Sequence, residues 1–112
     1  MTDFNVSVSP DEAIDLIDKA VINGSITGQK IDEYVSDMGN GTKLTVSVYE
    51  KHYYRAGNRL TLTVVADNLR GKTHIHVISG GGGGQGLLRF DWGASGSFED
   101  TVMDALYKYV IE

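Results

Sequence analysis

Apolar residues recur along this chain with two different periods, and the change of period divides it into elements. In "SPDEAIDLIDKAVING" the positions Ala13, Ile14, Leu16, Ile17, Ala20 and Val21 fall on one face of a helical repeat. Ser9 stands as N-cap, Pro10 takes the first helical position, Glu12 completes a capping box, and Asn23-Gly24 closes the segment. The pattern predicts a helix over 10–23. A second helical period, Val102, Met103, Leu106, Tyr109 and Val110, follows Ser97 as cap and Asp100 at the box position, and predicts a helix over 97–111.

Between these segments the period drops to two. Leu44, Val46 and Val48 alternate with Thr45, Ser47 and Tyr49, and Leu60, Leu62 and Val64 alternate with Thr61, Thr63 and Val65. Ile75 and Val77 stand opposite His74 and His76, and "LLRFDW", Leu87 to Trp92, reads as a further short strand whose Trp92 faces the core. The segment "QKIDEYVSDMGNG" fits both periods: Ile31, Tyr34, Val35 and Met38 have helical spacing, while a strand from Ile26 to about Asp37 could turn at Gly39-Asn40-Gly41. Its match in length to the next strand favours the strand.

Helix, strands, helix, joined by short loops, predict an α+β two-layer domain. Its mainly antiparallel sheet has about four to five strands, with the N- and C-terminal helices on one face. The other face stays open and is expected to carry Thr45, Ser47, Tyr49, Thr61, Thr63 and Val65. The hairpin after Tyr53 leaves two registers available. A two-residue turn at Ala56-Gly57 places the tyrosines with the leucines; a three-residue turn places Glu50 and His52 on the core side instead.

The 112 residues, 41% of them hydrophobic, suffice for a single domain, 1–112. The net charge of −5 argues against a general binder of nucleic acid or membrane surfaces. It is unevenly spread: −6 over 1–38, +5 over 39–90 and −4 over 91–112. There is no cysteine, no apolar run of membrane-spanning length, and no signal-peptide pattern in "MTDFNVSVSP", so the expected compartment is the cytoplasm.

The stretch "SGGGGGQG", Ser79 to Gly86, raises the question of a phosphate loop. Gly81, Gly83 and Gly86 match the spacing of a dinucleotide loop, but a strand-like segment follows where a helix N-terminus is needed, and no Lys-Ser or Lys-Thr completes a P-loop. Two readings stand: a bulge or sharp turn, and a nest of backbone N–H groups that holds an anion with Arg89 and Arg59.

"VYEKHYYRAGNRLTLTVV" followed by "SGGGGGQGLLRFDWGASGSFED" resembles a family of small uncharacterised bacterial proteins, a domain of unknown function. The motifs that carry the resemblance are Tyr49 to Tyr53, Asn58-Arg59, Ser79 to Gly86 and Phe90 to Gly93, within roughly residues 24–105. The resemblance implies no activity. The His74-Ile75-His76 pair is not part of that family's pattern, and the glycine run is longer than expected.

Chemically, His74 and His76 share a strand face, as two ligands of one metal would, but alternation against Ile75 and Val77 already accounts for them. No metal and no cofactor is expected. No G-x-S-x-G or unique histidine partner marks a serine nucleophile, so catalysis has no support in the sequence. The expected function is a binding or interaction module. It would take a small anionic ligand through Arg59, Arg89 and the glycine loop, or self-associate through the open sheet face at Tyr49, Thr61, Thr63 and Val65. Single-stranded nucleic acid on the strip of tyrosines and arginines from Tyr49 to Arg59 is a third reading, opposed by the net charge.

Overall fold

The computed structural model describes residues 2–24, 28–53, 58–81 and 98–111. The chain runs through β1 (Thr2–Val6), α1 (Pro10–Asn23), β2 (Gln29–Asp37), β3 (Lys43–Tyr53), β4 (Asn58–Asp67) and β5 (Thr73–Gly81). A second helix, α2, follows over 98–106, then a 3-10 turn (Tyr107–Tyr109) and a short β6 (Val110–Ile111). The strands form one six-stranded sheet of order β2-β3-β4-β5-β1-β6, antiparallel at every pairing. The α+β two-layer expectation holds in this coarse form. Among the described residues no helix is long and apolar enough to cross a membrane.

The start of α1 follows its sequence signals. The Ser9 hydroxyl oxygen accepts from the Glu12 backbone N–H at 3.2 Å, and Pro10 occupies the first turn. At the other end, the Gly24 N–H donates to the Ala20 carbonyl at 3.1 Å with φ near −88°. Glycine is needed there for lack of space, since a Cβ would lie 2.4 Å from the Ala20 oxygen. Ala13, Ile14, Ile17 and Val21 face the sheet, and Phe98, Val102 and Leu106 of α2 join the same core.

Three expectations change. The N-terminal residues 2–6 form β1, which inserts between β5 and β6, so the described residues alone supply six strands where about four to five were expected. The C-terminal helix does not reach residue 111: it ends at 106, and Val110 and Ile111 pair with Val6 and Asn5. Backbone pairing to β1 overrides the helical spacing of Tyr109 and Val110. The ambiguous segment is a strand, as its length favours, over Gln29–Asp37, with a bulge between Lys30 and Asp32; Ile26 lies outside the described residues.

The third change concerns faces. Tyr49 pairs with Leu62, Ser47 with Val64 and Thr45 with Ala66, so these polar residues lie on the helix-covered side with the leucines. The observed register places Tyr53 opposite Asn58; it has the parity of the two-residue turn, shifted along by one pair. Leu60, Leu62 and Val64 are fully buried. Full burial of each such side chain stabilises by roughly 1.5–3 kcal/mol, so β4 holds its face and β3 must accommodate it. The hydroxyls of β3 are accommodated because partners await two of them: Ser47 donates to Glu33 at 3.1 Å and Tyr49 to Asp18 at 2.5 Å. Tyr49 is therefore a core residue, contrary to its expected place on the open face.

Candidate functional site

The uncovered face of the sheet is built by strict pairing. One row crosses five strands as Tyr34, Val46, Val65, His76 and Asp3, and the next runs Asp32, Val48, Thr63 and Ile78. A third runs Ser36, Leu44, Asp67, His74 and Asn5. Valine and threonine suit a pleated surface, and here their side chains shelter one another to half-burial without a covering helix among the described residues. Tyr34 at the β2 end is 62% exposed and Ile78 is 44% exposed.

Polar clusters border this apolar band. Asp3 Oδ1 accepts from both imidazoles, at 3.0 Å from His74 Nε2 and 2.5 Å from His76 Nδ1, while His74 Nδ1 lies 3.0 Å from Asn5 Oδ1. Hydrogen bonds from His76 and then His74 hold the Asp3 carboxyl below its usual range. The histidines thus share a face, as alternation predicts, and their common partner is a carboxylate from β1, a strand the sequence did not disclose. Among the described residues no group of three or more His, Asp or Glu is placed to hold a metal ion.

On another border, Glu50 is only 9% exposed although it belongs to the open face. It accepts from Gln29 Nε2 at 3.1 Å and lies 3.4 Å from Arg59 Nε. Of the expected anion-site residues, Arg59 is therefore engaged with a carboxylate, and Gly81 ends β5 opposite Leu60. Gly80 also pairs regularly, with Thr61, so the glycine run begins inside a strand. Gly83, Gly86 and Arg89 lie outside the described residues, as does the segment Leu87 to Trp92. Thr61, Thr63 and Val65 take the open face as expected; Tyr49 does not.

A family model for a family of unknown function, DUF6054, matches residues 1–110. The chain belongs to DUF6054. No curated protein and no solved structure matches it.

This DUF6054 chain also has a concave place, on the helix side of the sheet. A groove of about 360 Å³ between α1 and the β2–β3 edge is lined by Asp11, Asp15, Asp18, Lys30, Glu33 and Thr45, with Ile14 and Val35 as apolar walls. The Lys30 ammonium lies 3.1 Å from Asp18, forms an ion pair with Glu33, and stands 5.8 Å from the centre of the Tyr49 ring. Burial pulls this ammonium down, but Glu33 and Asp18 outweigh it and leave it raised. Lys30 in turn holds the Glu33 carboxyl low. Burial first, then the Asp18 carboxylate, push the Tyr49 phenol far above the tyrosine range. Nothing in the helical or strand periods indicated this groove; the one available sign was the recurrence of Asp11, Asp15 and Asp18 along one stripe of α1.

Proposed function

We propose that this protein is a binding and interaction module that self-associates through the uncovered face of its sheet. The observation that carries the reading is the row Tyr34, Val46 and Val65, continued by Val48, Thr63 and Ile78 in the next. A solvated sheet face ordinarily alternates polar side chains outward. Here the centre of the face holds valine, isoleucine and threonine, and charged groups are confined to its rim.

Two copies related by a twofold axis would bring the same rows together, the self-complementary arrangement of a cyclic dimer, with two sheets packed face to face. The neutral centre suits a second acidic molecule: burying valine against valine is favourable, while the shared net charge stays at the periphery. The test is sedimentation velocity over a concentration series. Val65→Lys and Val48→Lys should each shift the wild-type protein towards monomer while far-ultraviolet circular dichroism is unchanged. A wild type that sediments as monomer at high concentration ends this reading.

A further inference from the structure

We propose that the groove between α1 and the β2–β3 edge binds a linear aliphatic amine carrying two or more ammonium groups, a polyamine in chemical class. Two independent observations point to a ligand there. The first is the arrangement of charge. Asp11, Asp15 and Asp18 follow one another at helical spacing, a run of roughly 10 Å. Glu33 faces them from β2, and Asp11 is shared with an adjoining hollow of about 370 Å³ bordered by Asp37 and Lys43. Five carboxylates thus meet two ammoniums, those of Lys30 and Lys43. Lys43 is held by Asp11 at 2.9 Å and Lys30 by Asp18 and Glu33, whereas Asp15 has no hydrogen-bond or ion-pair partner among the described residues.

The second observation is Thr45. Thr45 lines the groove, the residue is 2% exposed, and among the described residues its buried hydroxyl has no hydrogen-bond partner. A buried hydroxyl without a partner is costly, and a donor arriving through the groove removes that cost. The ligand's character follows from what is present. The carboxylates select a cation. The absence of any metal-holding group among the described residues sets aside a compact divalent ion. The Ile14 and Val35 walls suit methylene segments between charges, and the volume lies at the small-molecule end of ligand sites. The protein already shows the mode of binding with its own side chain, for Lys30 presents an alkylammonium to Asp18, Glu33 and the Tyr49 ring.

The test is isothermal titration of the full chain with spermidine and with 1,5-diaminopentane at low ionic strength, with magnesium chloride as the control for bulk counter-ions. Amide chemical shifts locate the effect. Saturable binding of the amines, with shifts concentrated at Thr45, Ser47 and Asp15, is expected, and Asp15→Asn should weaken it about tenfold because one charged hydrogen bond is lost. Thr45→Val should weaken it as well while the protein stays folded. Absence of saturation, an equal response to magnesium, or undiminished binding by Asp15→Asn would each overturn the proposal. Asp15 is exposed and has no partner among the described residues, so its variant folds whatever the fate of Thr45→Val.

Discussion

The Tyr49 hydroxyl donates to Asp18 at 2.5 Å across the interface of β3 and α1, and the Lys30 ammonium reaches the same carboxylate at 3.1 Å. One acid of the helix therefore fastens both the second and the third strand beneath it. The phenol ring supplies apolar burial and its oxygen supplies direction. Tyr49→Phe keeps the ring and removes the direction, and should cost about 1.5 kcal/mol, the lower end for a hydrogen bond to a charged group because Lys30 still holds Asp18. Tyr49→Ala removes both and should cost about 3–5 kcal/mol. Urea denaturation of the two variants measures the difference.

The same cluster predicts alkaline sensitivity. The phenol of Tyr49 and the ammonium of Lys30 are both raised in the folded protein, so the stability they contribute is fully present below their ordinary values of 10.0 and 10.5. It is lost as pH climbs above those values towards the folded ones. Tyr49 should form tyrosinate only together with the loss of circular dichroism, and Tyr49→Phe should remove that component from the absorbance titration.

At the acid end the relevant group is Asp3. Its folded value is depressed by His76 and His74, so its contribution is present above the unfolded value and lost as pH falls through the folded one. Carboxyl chemical shifts should place Asp3 below its ordinary 3.8, and His76→Gln should return it towards that figure. An Asp3 that titrates normally in the wild type contradicts the bridged arrangement.

Helix capping gives the simplest test. Ser9→Ala removes the acceptor for the Glu12 N–H and should lower stability by about 1 kcal/mol, read from the midpoint of thermal or urea unfolding. Ser9→Gly should cost a few tenths of a kcal/mol, since glycine is itself an acceptable cap.

The sequence disclosed α1 almost to the residue, because Ser9, Pro10, Glu12 and Gly24 act locally. It disclosed the existence of β3, β4 and β5 from alternation alone. Which side of β3 is covered was not legible, because both of its faces are plausible: Leu44, Val46 and Val48 look more like a core than Thr45, Ser47 and Tyr49. The choice is made by Asp18 and Glu33, which lie elsewhere in the chain and satisfy the hydroxyls only after folding. β1 and β6 were missed for the same kind of reason: Thr2–Val6 alternates too briefly to register, and Val110–Ile111 is strand only because Val6 and Asn5 are beside it. The groove escaped notice because its parts come from a helix stripe, an edge strand and one buried threonine.

The place of β1 within the sheet also sets an order of events. β2 to β5 are joined by short connections and pair with their neighbours in sequence, whereas Asp3 and His76, opposite one another, are 73 residues apart. During synthesis β1 leaves the ribosome early and waits, unpaired, until Thr73–Gly81 has emerged and joined the growing meander. From then until β1 docks, the outer edge of β5 presents unused N–H and C=O groups along its length. That interval, rather than the finished molecule, is when this chain is most open to pairing with the wrong strand, and whatever hastens the docking of β1 shortens it.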